Sequence, residues 1–355
     1  MVLNTHNNLT LRKFMNHYIK SIKIRNLFDE KDINWKLNRV NVLVGKNGLG
    51  KSTILHLINS AITQESSKYL NLCDDVMLEM KNNDKYHALK EAIPPDLLEV
   101  IIKELSTSDD FMNAIESSLT HFKEAEKFNT EIIKNIKKNV ILDFKKKASI
   151  QDKNRINQEG LSSYKFGINV EPMETEFIST INMNANSVNN VTTSSGNPTT
   201  FLDFEISNEI KRLLDNSSKY PEKNLKEKLT NSLNNLFNET DKEIVIINNN
   251  LKVLLLNGKE LSFKELSSGE RQVVFIFLKV INASINNSLI LMDEPEISLH
   301  LSWQEKLLDE INKVNSSSQI IIVTHSPAIL MNGWFDCLTD IKDIVFDNID
   351  SYEVD

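Results

Sequence analysis

Residues Gly45–Ser52 read Gly-Lys-Asn-Gly-Leu-Gly-Lys-Ser, and this stretch constrains the fold more than any other feature of the chain. It fits the pattern G-x-x-x-x-G-K-[S/T], with a strand-like apolar run (Val40–Val44) before it and an amphipathic helical pattern after it. The glycines let the backbone wrap closely around an anion, whose charge the loop N–H groups and the helix N-terminus then stabilise. The stretch therefore predicts an α/β fold with a phosphate site.

This loop also predicts how ATP and Mg²⁺ are held. We expect Lys51 to reach the β- and γ-phosphates and the Ser52 hydroxyl to ligate Mg²⁺. Further contacts to the nucleotide are expected from the other residues of the loop and the first helical turn, namely Gly45, Asn47, Gly48, Gly50 and Thr53. The alternative is a glycine-rich turn with an accidental lysine, and the flanking strand and helix argue against it.

A second apolar strand, Leu289–Met292, ends in the two acids Asp293 and Glu294. Many buried strands end in acids, so the pair gains weight mainly from its place after the glycine loop. In a protein with such a loop, the first acid fits the Mg²⁺ shell. The second, Glu294, is placed to orient and deprotonate the attacking water.

The run Ser267-Ser268-Gly269-Glu270 opens an apolar helix and has an ordinary interpretation as a helix cap, with Ser at the cap and Glu shortly after it. Its position, 24 residues before Asp293, favours a second interpretation. Here the sequence resembles the ABC ATPase family, whose signature motif is this serine–glycine helix start. The resemblance implies that Ser268 and Gly269 contact the γ-phosphate held by another subunit, so that the site is complete only in a homodimer or a higher oligomer.

Thr324-His325-Ser326-Pro327 follows the last apolar strand pattern, 31 residues after Glu294. A single histidine is usually structural. The ABC family has its switch histidine at this position, which implies that His325 contacts the γ-phosphate and aligns the attacking water. The four motifs in family order predict a P-loop NTPase fold, an ABC-type ATPase head.

The spacing of the motifs indicates a branch of this family. Lys51 and Ser268 are 217 residues apart, a much longer gap than in transporter ATPases. This resembles the SMC, RecF and OLD-type branch, and His300 stands where transporter heads have the D-loop aspartate. The stretches Leu266–Trp334 and Phe177–Thr180 are similar to standalone ATPases of bacterial defence islands, such as those of Septu systems and some retrons. This closer resemblance covers about a third of the chain.

Composition and periodicity predict a composite architecture. Residues 1–85 and 239–355 are expected to form the ATPase head, and residues 86–238 a mostly helical insertion, because apolar residues recur there at helical spacing. Within it, Met183–Thr200 is rich in Asn, Ser and Thr and is expected to be a loop.

Two expected parts of the head have no clear counterpart. The glutamines between the two main motifs are Gln64, Gln151 and Gln158, and none ends a clear strand, so the Mg²⁺-sensing Q-loop glutamine stays unassigned. Phe28 and Trp35 are weak candidates for stacking on adenine.

The resemblance implies control of a separate effector, such as an HNH nuclease, in anti-phage defence. Since Asp355 lies about thirty residues after His325, we expect any nuclease to be a partner protein. The alternatives are a RecF- or SMC-like DNA repair ATPase and a nucleotide-gated scaffold or antitoxin with negligible turnover. A transporter ATPase subunit fits less well because of the long insertion.

Net charge and apolar patterning limit the partners and the compartment. A net charge of −8 argues against a protein coated in nucleic acid, although the basic region Lys134–Arg155 could form a groove for DNA or an RNA–DNA hybrid. A solvated helical face is the favoured interpretation of that region. Residues Met1–Asn16 lack an apolar signal-peptide core, two cysteines are too few for a disulfide framework, and no apolar stretch is long enough for a membrane span. We therefore expect a cytoplasmic protein.

Overall fold

The computed structural model describes residues 18–91, 163–167, 170–179, 190–192, 198–248 and 250–347. The chain divides into a larger compact unit, residues 1–89 and 166–355, and a second unit, residues 90–165. The basic region Lys134–Arg155 lies outside the described residues, as do Gln151 and Gln158. No described helix has the length and apolar character to cross a membrane.

The elements of the described residues follow in chain order. The strands are β1 (Ile19–Leu27), β2 (Lys31–Lys36), β3 (Val40–Val44), β4 (Asp75–Met80), β5 (Lys85–Glu91), β6 (Ser163–Phe166), β7 (Thr175–Ser179), β8 (Asn190–Thr192), β9 (Pro198–Thr200), β10 (Lys242–Ile247), β11 (Asn250–Leu255), β12 (Glu260–Leu261), β13 (Leu289–Asp293), β14 (Ile320–Val323), β15 (Leu338–Asp340) and β16 (Val345–Asp347). The helices are α1 (Lys51–Thr63), α2 (Phe201–Lys219), α3 (Leu225–Phe237), α4 (Ser268–Ala283) and α5 (Leu301–Val314).

A parallel sheet with the strand order β15-β3-β14-β13-β7 forms the centre of the larger unit. Every residue of β13 and β14 is buried, as expected for parallel strands covered on both faces. Because the strands run parallel, the carboxyl ends of β3, β14 and β13 meet at one edge of the sheet, where ligands bind in open α/β sheets. The predicted strands at Val40–Val44, Leu289–Met292 and Ile320–Val323 are thereby confirmed.

A second, antiparallel sheet contains the order β16-β2-β1-β4-β5. Strand β1 buries Ile22, Ile24 and Leu27 and leaves Lys23 and Arg25 exposed, as an alternating apolar pattern requires. The chain segment 338–347 joins the two sheets, because β15 pairs with β3 and β16 pairs with β2. This segment passes beside the glycine loop that follows β3.

The helices pack around the parallel sheet. Helix α1 contacts β13, β14 and β7, and α4 lies between α2, α3 and α5. Most of α4 is buried, including Val273, Val274, Phe275 and Phe277. A small antiparallel sheet with the order β10-β11-β12 leads into α4.

The structure divides the chain differently from the boundary expected at residue 238. Strand β7, which was assigned to the insertion, pairs with β13 inside the central sheet, and α2 and α3 contribute buried leucines to the same core. The sequence does not show that β7 belongs to the central sheet, because a short buried strand inside a polar stretch has no distinctive periodicity. The stretch 183–200, expected to be a loop, contains the short antiparallel pair β8 and β9 among its described residues.

Candidate functional site

The glycine loop lies between β3 and α1, as its sequence predicts. Gly45 and Gly50 have φ angles of +146° and +91°, which L-residues with side chains rarely adopt. Space is also limited, since a Cβ on Gly45 would lie 2.5 Å from Ile341 Cγ2 and one on Gly50 would lie 2.7 Å from Phe28 Cε2. The loop thus requires glycine both for its backbone conformation and for the close approach of its neighbours.

Lys51 begins α1 and folds back over the loop. Its ammonium group donates to the carbonyl oxygens of Gly45 at 2.9 Å and of Lys46 at 3.0 Å, and the residue is 4% exposed. Burial lowers the pKa of Lys51, while Glu294 and Asp293 act in the opposite direction. A buried ammonium held at the mouth of an anion-binding loop is suited to binding phosphate. Of the other expected contacts, Asn47 and Gly48 are exposed and Thr53 is half-buried.

The two expected Mg²⁺ ligands are neighbours in space although 241 residues separate them in sequence. Ser52 Oγ donates to Asp293 Oδ1 at 2.8 Å. Burial raises the pKa of the Asp293 carboxyl, and the Ser52 hydrogen bond opposes that shift. A hydroxyl and a carboxylate side by side form the hard oxygen donor pair that Mg²⁺ prefers in nucleotide sites. The residues therefore fit the ion.

Glu294 and His325 come together at the same edge. Glu294 follows β13 directly, with a φ angle of +50°, and its backbone N–H donates to Val323 O at 2.8 Å. Its carboxylate lies 3.3 Å from His325 Nε2. Burial raises the pKa of Glu294, and His325 acts against that shift. A carboxylate with a raised pKa beside an imidazole can accept a proton from a water molecule.

Residues 108–332 match the family model described as "AAA domain, putative AbiEii toxin, Type IV TA system". The match covers more than half of the chain. The chain belongs to this family. The glycine loop lies before the matched residues, whereas Asp293, Glu294 and His325 lie within them. The prediction of an ABC-type ATPase head that resembles retron-associated ATPases is confirmed.

Two curated relatives carry names that agree with this family assignment. The "Retron Vc95 probable ATPase" of Vibrio cholerae serotype O1 biovar El Tor is 31% identical over 88 residues, which is 22% of this chain and 17% of that protein. The "Retron Ec83 probable ATPase" of Escherichia coli is 27% identical over 84 residues, or 21% of this chain and 16% of that protein. The chain thus matches less than a fifth of the length of each relative.

Solved structures of SMC heads are similar in arrangement at low sequence identity. The SMC head domain from Thermotoga maritima is 12% identical, with a TM-score of 0.43 over 91% of this chain and 94% of that chain. An SMC head bound to the C-winged helix domain of ScpA is 12% identical, with a TM-score of 0.45 over 89% of this chain and 91% of that chain.

The expected signature residues of this AAA family member open α4, but their contacts are those of a helix cap. Ser267 and Glu270 form a capping box, in which each side chain accepts from the other residue's backbone N–H. Lys242 donates to Glu270 at 2.6 Å. A Cβ on Gly269 would lie 2.3 Å from Ser298 O, so the helix start lies directly against the segment after β13. The capping interpretation is confirmed, and a γ-phosphate contact in a second subunit stays a prediction.

The structure describes one of the three candidate glutamines, and the Q-loop glutamine stays unassigned. Gln64 ends α1 and donates to Val170 O at 2.6 Å, so its side chain is engaged in a structural contact. Two strands flank Asp293: β14, through Val323, and β7, whose last residue Ser179 is paired with Asp293. Ser179 is 7% exposed, and sequence reasoning did not assign it to the site. The sequence of β7, Thr-Glu-Phe-Ile-Ser, does not alternate between apolar and polar residues, so no sequence signal identified this strand.

The two aromatic candidates for adenine stacking differ in exposure. Trp35 is 2% exposed and donates to Thr339 Oγ1 at 3.2 Å, so its ring is part of the core and this candidate is wrong. Phe28 is 36% exposed and lies against Gly50 at the glycine loop. A partly exposed ring beside the loop stays a candidate for a base contact.

Proposed function

We propose that this chain is a cytoplasmic Mg-ATP-dependent ATPase head that works as a homodimer and controls a separate effector, such as a nuclease, in bacterial anti-phage defence. One observation supports it most: Lys51, Ser52, Asp293, Glu294 and His325, predicted from three separate motifs, converge at one edge of the parallel sheet. The retron names of the curated relatives support the defence role.

Each residue has a separate task in hydrolysis. Lys51 and the loop N–H groups bind the phosphates, and Ser52 and Asp293 hold Mg²⁺, which neutralises charge on the phosphates. Glu294 accepts the proton of the attacking water, for which its raised pKa is suited. His325 keeps the Glu294 carboxylate and the water in position. Turnover is slow, because control of an effector needs occupancy of the site more than flux.

The position of the signature helix start supports the proposed dimer. Ser268 and Gly269 lie at the N-terminus of a 16-residue helix, where backbone N–H groups favour an anion. If they bind the γ-phosphate of a second copy, ATP joins the two heads and each site needs residues from both. Hydrolysis then weakens the contact and releases or resets the effector.

The test of hydrolysis is Glu294→Gln, which keeps the shape of the side chain but removes the base. We expect Kd for Mg-ATP to change less than about threefold, kcat to fall on the order of 10³-fold, and a dimer to accumulate with Mg-ATP in light scattering. Hydrolysis at the wild-type rate would contradict the assignment of the base. Glu305→Gln, on α5, is the control and should behave as wild type.

A mixing experiment tests the shared site. Lys51→Ala lacks the phosphate-binding ammonium group and Gly269→Ala disturbs the signature contact, so each variant alone should lose most of its activity. Mixed subunits restore one complete site per heterodimer, and activity should return to roughly a quarter of the wild-type value. No recovery despite heterodimer formation would contradict a site shared across subunits.

A third measurement separates the proposed role from its rivals. Co-expression with the neighbouring open reading frame should yield an ATP-dependent complex whose effector activity depends on Glu294. Strong stimulation of hydrolysis by DNA without any effector would instead favour a repair ATPase. Absence of turnover with intact ATP binding would favour a nucleotide-gated scaffold or antitoxin.

A further inference from the structure

Glu296 follows the base Glu294 by two residues and bonds to the loop that carries His325. A single carboxylate oxygen, Glu296 Oε1, accepts three hydrogen bonds from that loop. Thr324 Oγ1 donates at 2.6 Å, the His325 backbone N–H at 3.0 Å and the Ser326 backbone N–H at 3.2 Å. The donors belong to three consecutive residues, so one oxygen holds the whole turn that presents the imidazole.

This interaction is buried. Glu296 is 7% exposed and Thr324 is fully buried, and hydrogen bonds from N–H groups to a buried carboxylate are stronger than bonds between neutral groups. The second oxygen, Glu296 Oε2, is also buried, and no donor among the described residues bonds to it. A buried acceptor without a partner lowers stability, so the carboxylate is not arranged for stability alone.

The position of Glu296 links the two catalytic groups. The turn after β13 is tight, with Ile297 N–H donating to Glu294 O at 3.2 Å and Leu299 N–H donating to Glu296 O at 2.9 Å. Glu294 and Glu296 therefore move together as parts of one turn. Through Oε1 the same turn holds the backbone of His325, whose ring lies 3.3 Å from the Glu294 carboxylate.

We propose that Glu296 is a positioning residue that locks the His325 loop to the turn carrying Glu294, so that imidazole and base stay in register for the attack on the γ-phosphate. This inference rests on the proposed hydrolysis of ATP by this site. Glu296 touches neither substrate nor metal in this role and acts only through His325. Ser326 Oγ, which donates to Gln304 Oε1 at 2.6 Å, is a second and weaker tether of the same loop.

The first test compares Glu296→Ala with Glu296→Gln. The Ala variant removes the acceptor, and we expect kcat to fall about 10- to 100-fold while KM changes less than about threefold. Gln keeps a carbonyl oxygen that can accept the same three donors, so kcat should recover to within about fivefold of wild type. Equal loss in both variants, or a rise in KM with unchanged kcat, would overturn the proposal.

A double-mutant cycle tests whether Glu296 acts through His325. In a His325→Ala background, Glu296→Ala should lower kcat by less than about twofold, because the group that it positions is gone. Independent, multiplying effects of the two substitutions would show that Glu296 acts by another route. Glu310→Ala is the matched control: Glu310 is 4% exposed and ion-paired with Lys313, so its loss should affect stability and leave kcat unchanged.

Amide hydrogen exchange provides a readout that does not depend on activity. In the nucleotide-free protein, Glu296→Ala should speed exchange of the His325 amide about tenfold, and Glu310→Ala should not. The Ser326 amide also donates to Thr324 Oγ1 at 2.9 Å, so its exchange should change less. Unchanged exchange at the His325 amide would refute the lock even if hydrolysis is impaired. The two proposals can fail separately. If the wild-type protein does not hydrolyse ATP but Glu296→Ala still speeds exchange as expected, the proposed function is refuted and the contact between Glu296 and the His325 loop is established.

Discussion

The glycine-loop edge of the central sheet and the start of α4 were both predicted from short motifs, yet they differ in what one chain completes. At the sheet edge, Ser52 already contacts Asp293, and His325 already contacts Glu294. At the start of α4, Ser267 and Glu270 bond to each other's backbone and Gly269 lies against Ser298. The first region is assembled within the chain. At the start of α4, the observed contacts stabilise the helix and its packing within the same chain.

This difference shows which assignments depend on a partner. A cluster of oxygens and an imidazole meets at the sheet edge from distant parts of the chain, and burial raises the pKa of both acids, so their desolvation opposes the charged form even though they are paired. A capping box has a sufficient structural purpose. The catalytic edge is therefore supported by its geometry, whereas the signature helix acquires a second role only if another subunit brings a phosphate to it.

The largest expected effect is on ATP affinity, when the Lys51 ammonium is removed from the glycine-loop edge. We expect Lys51→Ala to raise the Kd for Mg-ATP by at least about 100-fold, since it removes charge-assisted bonds to the phosphates. Isothermal titration calorimetry with ATP measures this directly. Lys36→Ala, an exposed lysine on β2, should bind ATP as wild type does. Retained affinity in Lys51→Ala would remove the glycine loop as the phosphate site.

An intermediate effect is expected from Gly269→Ala, which tests the other side of the comparison. Its Cβ would meet Ser298 O at 2.3 Å and displace the helix start. We expect ATP affinity of the monomer to change less than about threefold, with kcat and ATP-dependent dimerisation falling about 10- to 100-fold. Gly167→Ala is the control, because its Cβ would meet nothing closer than 3.5 Å. Wild-type dimerisation and turnover in Gly269→Ala would leave α4 as a capped helix and nothing more.

The smallest expected effect is a pH-dependent change in thermal stability when the Asp293 carboxyl is replaced. Asp293 has a pKa raised by burial, so the folded protein binds its proton more tightly than the unfolded chain does. Stability therefore falls as pH rises from the ordinary aspartate range through the raised pKa, and the full loss is present above it. Without nucleotide or Mg²⁺, Asp293→Asn should raise Tm at neutral pH by an amount on the order of 1–3 °C, and this gain should vanish near pH 4. Calorimetric melts at both pH values test this.

A lower Tm for Asp293→Asn at neutral pH would mean that the carboxylate stabilises the empty site. In that case the Ser52–Asp293 hydrogen bond outweighs the desolvation of the acid. The desolvation cost that distinguishes the sheet edge from the capped start of α4 would then be absent.

Much of the candidate site could be predicted from the sequence because its parts are local. Gly45–Ser52 specifies a loop by backbone conformation, and Asp293 follows a strand that is apolar throughout. Strand β7 could not be assigned, since five residues within a polar stretch carry too little periodicity to be distinguished from a loop. Glu296 was overlooked for another reason: its three donors lie about thirty residues away, on a different strand end.

The sequence by itself determined which groups stand at the carboxyl ends of the strands, because a glycine loop of the phosphate-binding pattern, a pair of acids after an apolar strand and a histidine after another each depend on a few residues in fixed order. Only the tertiary structure decided which of these groups touch. Parallel pairing of β3, β14 and β13 brings Ser52 to Asp293 and His325 to Glu294, and pairing of β7 with β13 draws part of the expected insertion into the head. Strand order depends on contacts between residues far apart in the chain, which local sequence patterns do not encode.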